Sequence, residues 1–142
     1  MSEMHGITRR FEIDAGHRVL GHKGKCRHFH GHRYAIEVSI ISVGLNNMGM
    51  VVDFGDVKEE IGKWLDYNLD HNMILNQEDP ILNKLAFEED DFFDIHGKQP
   101  FVMTNNPTAE NIAELLYRVF TSIVSKWNLG LSRVRVYETP NC

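Results

Sequence analysis

The segment CRHFHGHRY (26–34) brings Cys26, His28, His30 and His32 within seven positions of one another. Side chains of these types bind transition metals through imidazole nitrogen or thiolate sulfur, and they carry protons near neutral pH. In an extended chain, residues i and i+2 point to the same face. His30 and His32 therefore project together, and Gly31 keeps the opposite face small. Tyr34, Ile36, Val38 and Ile40 continue the same parity, so the face that the histidines share is the apolar one. His17 falls on the apolar face of RRFEIDAGHRVL (9–20), in step with Phe11, Ile13 and Ala15. Neutral imidazoles converging inside a protein are costly to bury without partners. A zinc ion takes one lone pair from each of His17, His30 and His32 and keeps the fourth tetrahedral position open, the arrangement of a catalytic site. His28 shares the parity of His30 but lies nearer the loop and ranks below it as a ligand. Other zinc patterns are missing: the chain has no HExxH, no paired CxxC knuckles, and no HxE with PCxxC.

Cys26 stands between Lys25 and Arg27. Cationic neighbours and a nearby metal favour the thiolate, which makes Cys26 a candidate nucleophile or base; otherwise it is a small apolar residue. LDH (69–71) sets Asp70 beside His71, where a carboxylate can orient an imidazole and raise its pKa. The plainer alternative is a polar helix end with His71 near the C-terminal dipole. Glu138 shares the parity of Val134 and Val136, and a carboxylate on an apolar face needs donors. The adjacent N–H groups of a guanine-like ring would supply them; a strand-end glutamate turned to solvent is the alternative. Thr108 and Glu110 read as first-turn helix residues unless the fold brings them to a site.

These residues need elements to position them. The alternation in 9–20 and in HGHRYAIEVSIIS (30–42) predicts two strands across a glycine-containing loop, an antiparallel pair. VVDFGDVKEEIGKWLDYNLDH (51–71) changes to helical spacing through Val57, Ile61, Trp64 and Leu65, with Asp56 and Glu59 resembling a capping box. NNPTAENIAELLYRVFTSIVSKW (105–127) predicts a helix capped by Asn106, with Pro107 at its first position and a stripe of Ile112, Leu115, Leu116, Val119, Phe120 and Ile123. LSRVRVYET (131–139) predicts a closing strand. Residues 76–104 read as loop with a short strand at PFVMT. The order predicts an α+β layer of helices on one face of an antiparallel sheet.

The chain has 142 residues, 42% hydrophobic and 25% charged, which predicts a single globular domain over 1–142. No apolar run reaches membrane-spanning length. Two cysteines at opposite ends make a poor disulfide framework and favour a cytoplasmic location. A net charge of −5 argues against general nucleic-acid binding. The cations gather in residues 9–33, however, while FEEDDFFD (87–94) collects acids. That basic region suits an anionic small ligand such as a phosphate ester.

FEIDAGHRV, CRHFHGH, GMVVDF, LDH, NPTAEN and VRVYET, in this order and spacing, resemble the 6-pyruvoyltetrahydropterin synthase and 6-carboxytetrahydropterin synthase family over nearly the whole chain. The resemblance implies the tunnelling fold, an antiparallel sheet with helices on one face. Its subunits join sheets into a trimeric β-barrel, and trimers stack as a hexamer. It implies zinc on His17, His30 and His32, Cys26 as general base, Asp70 and His71 as proton carriers, and Glu138 as anchor of the pterin. It also implies 7,8-dihydroneopterin triphosphate as substrate. The carboxy branch releases acetaldehyde and triphosphate on the route to 7-deazaguanine bases such as queuosine; the pyruvoyl branch eliminates triphosphate on the route to tetrahydrobiopterin. The shorter, more compact chain favours the carboxy branch. A reading of another class is a non-catalytic, zinc-stabilised pterin-binding module, which would need the ligands but not Cys26, Asp70 or His71. Gly16 stands where members have a slightly larger small residue.

Overall fold

The structure is a computed structural model that describes residues 3–85 and 98–141; the acidic run 87–94 lies outside them. Strand β1 (His5–His17) and strand β2 (His30–Ser42) pair antiparallel along their full length, with Asp14 opposite Arg33, Ala15 opposite His32, and His17 opposite His30. Strand β5 (Gly130–Tyr137) pairs antiparallel with the other side of β2. Two short strands, β3 (Asn72–Asn76) and β4 (Phe101–Met103), extend the sheet beyond β1 in parallel. The spatial order is β4-β3-β1-β2-β5.

The expected antiparallel core is present, and the two parallel additions make the sheet mixed. Alternation does not reveal β3 because consecutive residues, Ile74 and Leu75, are both buried. A strand covered on both faces reads as a short apolar run.

The apolar face of β2, through Tyr34, Ile36, Val38 and Ile40, is fully covered. Helix α1 (Phe54–Val57), a π-turn (Lys58–Gly62) and helix α2 (Lys63–Asn68) form one run that buries Val57, Ile61 and Leu65 against this face. A short helix α3 (Ile81–Leu85) follows β3, and helix α4 (Ala109–Ser125) adds Ile112, Leu116, Phe120, Ile123 and Val124 to the same core. The spacings of four, four and three from Ile112 to Ile123, with Val124 adjoining, make one helical stripe, as the periodicity predicts.

Both helix starts lie elsewhere than the sequence suggests. Asp53, not Asp56, caps the first run by accepting the Gly55 N–H at 2.7 Å. Thr108, not Asn106, caps α4, its hydroxyl accepting the Asn111 N–H at 3.2 Å. The Asn106 amide is already engaged: it accepts from the Leu20 N–H and donates to the Leu20 carbonyl. Pro107 thus stays outside the helix with its carbonyl unspent.

Arg18, the residue after His17, donates two hydrogen bonds to the buried Asp79, with Nε to Oδ2 at 2.7 Å, and its guanidinium lies 4.1 Å over the Phe29 ring. This pair fixes the exit of β1 against the loop after β3. The Arg18 hydrogen bonds lower the Asp79 pKa, burial opposes them, and the Ile81 N–H adds to the lowering. A depressed carboxylate pKa contributes stability above the unfolded value, and that stability is lost as pH falls through the folded value. Asp79→Asn is expected to lower unfolding free energy at pH 7 by about 1.5–3 kcal/mol. In urea melts the gap from wild type should narrow at pH 3. Equal stability at pH 7 would show that the pair contributes nothing.

Candidate metal centre

Facing residues of β1 and β2 bring His17, His30 and His32 together, with their ligand nitrogens all within 4.8 Å of one another. His17 is almost fully buried; His30 and His32 are half-buried. The His17 Nδ1–H donates to the Pro107 carbonyl at 2.6 Å, with the Tyr34 hydroxyl oxygen a second neighbour at 3.1 Å. The His30 Nδ1–H donates to the His28 carbonyl at 2.7 Å. A carbonyl only accepts, so in each neutral ring the hydrogen sits on Nδ1 and the lone pair on Nε2. These two Nε2 atoms face each other across 3.0 Å. The Nε2 of His32 is buried and has no hydrogen-bond partner among the described residues. Two lone pairs in opposition and a third buried nitrogen without a donor form a donor set that a cation satisfies. Metal-binding histidines commonly donate their far ring N–H to a carbonyl, which fixes the tautomer and the ring orientation. The residues present therefore fit a metal ion bound by three imidazoles.

Burial lowers the pKa of His17, assisted by His30 and His32; the Pro107 carbonyl and the Glu138 charge oppose it. Burial likewise raises the Tyr34 phenol, reinforced by Glu138, so it stays protonated beneath the cluster. Glu138 follows the end of β5 and turns toward the histidines. Its two carboxylate oxygens lie 3.9 Å from the Nε2 of His17 and 3.9 Å from that of His32.

Asp70 and His71 meet on the other side of the sheet. The Asp70 carboxylate accepts the backbone N–H of Asp14 at 2.9 Å, and its other oxygen lies 2.9 Å from the Nδ1 of His71. The backbone N–H of His71 donates to the Asp14 carbonyl at 2.6 Å. His71 has a positive φ of 55°, an uncommon conformation for a side-chain-bearing residue that this contact helps to hold. Burial would raise the Asp70 pKa, but the Asp14 N–H, His71 and Lys98 together lower it. The Asp14 side chain pairs with Arg33 at 2.8 Å, on the face opposite His17, His30 and His32. An open cleft of about 570 Å³ lies beside this pair, lined by Asp14, Gly16, His32, Arg33, His71 and Lys98 among others.

Residues 6–142 match the 6-pyruvoyl tetrahydropterin synthase family. The chain belongs to that family. It is 43% identical over 136 residues to the 6-carboxy-5,6,7,8-tetrahydropterin synthase of Rickettsia felis, covering 95% of this chain and 94% of that protein. Among solved structures, an uncharacterized protein from Wolinella succinogenes superposes with a TM-score of 0.79 at 26% identity, covering 99% of this chain and 96% of that one. The 6-pyruvoyl tetrahydropterin synthase of Caenorhabditis elegans gives a TM-score of 0.67 at 25% identity, over 98% and 91% of the two chains.

Within this pterin synthase family member, the structure gathers the three histidines and Glu138 on one face, and Asp70 with His71 on the other. Cys26 lies half-buried on a 3₁₀ turn (Lys25–Arg27), its carbonyl accepting the Val19 N–H at 2.8 Å. It is outside the three-histidine group. The Thr108 hydroxyl is occupied as a helix cap, and Glu110 is exposed in the first turn of α4. His28 contributes its carbonyl, not its ring. The Pro107 carbonyl, Tyr34 and Asp14 belong to the surroundings that sequence reasoning missed. Pro107 had one readable signal: a proline ahead of a threonine cap has an acceptor and no donor. A Cβ on Gly16 would come 2.5 Å from the Met73 sulfur, so the Met73 side chain would have to shift to admit one. Among the described residues no helix is long and apolar enough to cross a membrane.

Proposed function

We propose that this protein is a zinc-dependent 6-carboxy-5,6,7,8-tetrahydropterin synthase, one domain over 1–142. It acts in the cytoplasm on 7,8-dihydroneopterin triphosphate, releasing acetaldehyde and triphosphate, on the route to 7-deazaguanine bases such as queuosine. The observation that carries this reading is the convergence of three imidazole Nε2 atoms with a carboxylate beside them. His17, His30 and His32 would hold the zinc, which would supply Lewis acidity toward the substrate's side-chain hydroxyls and the adjacent C–H. Glu138 accepts two N–H donors of the pterin ring and so orients that side chain toward the histidines. Cys26, as thiolate, takes a proton from the side-chain carbon, and the Asp70–His71 pair moves a second proton. The cations of residues 9–33 receive the triphosphate.

The histidine cluster and the Asp70–His71 pair fall on opposite strand parities, with His32 alone of the three histidines also lining the cleft beside His71. We infer that they meet between copies. The outer edges of β4 and β5 have no strand partner among the described residues, and open edges are what a closed ring of subunits pairs. A hexamer built from two such trimeric rings accommodates this.

Mass analysis of the products from dihydroneopterin triphosphate tests the activity. The expected product is 6-carboxytetrahydropterin with acetaldehyde. A 6-pyruvoyl product would move the protein to the other branch, as the name of the nematode relative would have it; 43% identity to the rickettsial protein against 25% to the nematode one favours the first. No product with zinc bound would leave a binding module.

Glu138→Gln keeps the side chain's size but turns one acceptor into a donor facing a donor. Dihydroneopterin, which lacks the triphosphate, should bind the variant more weakly by about 1.5–3 kcal/mol in a calorimetric titration. Unchanged affinity would move the anchor elsewhere, with Thr108 and Glu110 next to examine.

A further inference from the structure

The position of Glu138 goes beyond what a ring anchor requires. Its oxygens are aimed at two of the three ring nitrogens of the cluster: Oε1 is 3.9 Å from the His17 Nε2, and Oε2 is 3.9 Å from the His32 Nε2. Neither contact is a hydrogen bond. The tautomer fixed by Pro107 leaves the His17 Nε2 without a hydrogen to offer, and the His32 Nε2 has no hydrogen-bond partner among the described residues. A carboxylate against the bare lone pair of His17 is repulsive unless a positive charge lies between them. In a tetrahedral zinc site with bonds of about 2.0–2.1 Å, neighbouring ligand atoms stand about 3.3 Å apart. At 3.9 Å, Glu138 is about half an ångström from that spacing, within reach of a small side-chain rotation. Only 28% of its side chain is exposed, so solvent competes weakly for the carboxylate.

Building on the metal reading above, we infer that Glu138 is the fourth ligand of the resting centre and that pterin binding removes it. One carboxylate cannot fully engage both the metal and the two N–H donors of the ring. While the pocket lacks a pterin, Glu138 closes the fourth position against water and stray ligands. When the ring arrives, its N–H groups draw the carboxylate away. The coordination position that the substrate's hydroxyls require then opens only with substrate in place. No bond to carbon and no redox change is involved; one oxygen donor leaves and another takes its place.

The test uses the full chain stripped of metal and titrated with Co²⁺, whose visible absorption reports ligand number and geometry. Wild type should bind one Co²⁺ with the strong absorption of a four-coordinate site. Glu138→Gln should still bind Co²⁺ through its histidines, with an altered spectrum and an affinity lower by about tenfold or more, since changes even to outer-shell partners cost 10–100-fold. Unsubstituted pterin, which has no side-chain hydroxyl, should shift the wild-type spectrum toward that of the variant and leave the variant's own spectrum unchanged. Identical spectra and affinities for wild type and Glu138→Gln would overturn the inference while leaving the three-histidine site intact. A wild type that binds no Co²⁺, or a His32→Ala variant that binds it undiminished, would instead overturn the metal reading. If circular dichroism shows Glu138→Gln unfolded, Glu138→Asp is measured in its place: weaker Co²⁺ binding is expected, and wild-type affinity overturns the inference.

Discussion

Replacing His32 by alanine is expected to remove the metal from the purified protein, and turnover with it. The His32 Nε2 is buried without a partner among the described residues, and an ion would supply the partner that it lacks there. Loss of one of three imidazole ligands should lower metal affinity by more than about 100-fold, the upper end of what second-shell changes cost. The fold should survive, because His32 is half-buried at the rim of the sheet while the core runs through Tyr34, Ile36, Val38 and Ile40. His30→Ala should behave alike. Metal analysis after dialysis gives the answer, and one equivalent retained in both variants would dismiss the site.

Cys26→Ala is expected to keep both metal and fold while losing turnover by about 10²–10⁴-fold, the range for a general base. Cys26 sits on a turn outside the core cluster and outside the three-histidine group, so neither packing nor metal binding depends on its sulfur. The loss should fall on kcat, with the affinity for dihydroneopterin unchanged. Turnover within a few-fold of wild type would reduce Cys26 to a structural residue.

The histidine half of the site is legible in the sequence because strand parity is local. His30 and His32 declare their common face through Tyr34, Ile36 and Val38, and His17 does so through Ile13 and Ala15. Glu138 could be read in the same way from Val134 and Val136, although its strand ends at Tyr137. Asp70 and His71 could be singled out by type but not placed. Their position depends on the parallel pairing of Ala15 with Asn72, a contact between distant residues that leaves no periodic trace. Asp70 is also held by a backbone N–H, which has no side-chain signature. The same limit explains the helix caps: Asn106 has the right chemistry for a cap, but Leu20, far away in sequence, engages it.

In the proposed mechanism the labour is divided between copies, one giving the histidines and another the Asp70–His71 pair. Mixing two inactive variants tests this most directly. His32→Ala removes the metal half; His71→Asn removes the proton-carrying half with a residue that tolerates the positive φ of 55° at that position. The two are dissociated together, reassembled at equal concentration with zinc, and assayed on dihydroneopterin triphosphate. If each site takes its histidines from one copy and His71 from another, random assembly makes about one site in four complete. Activity should then return to about a quarter of wild type. A mixture no more active than the mean of its two parents would mean that both halves must belong to the same chain, contradicting the account.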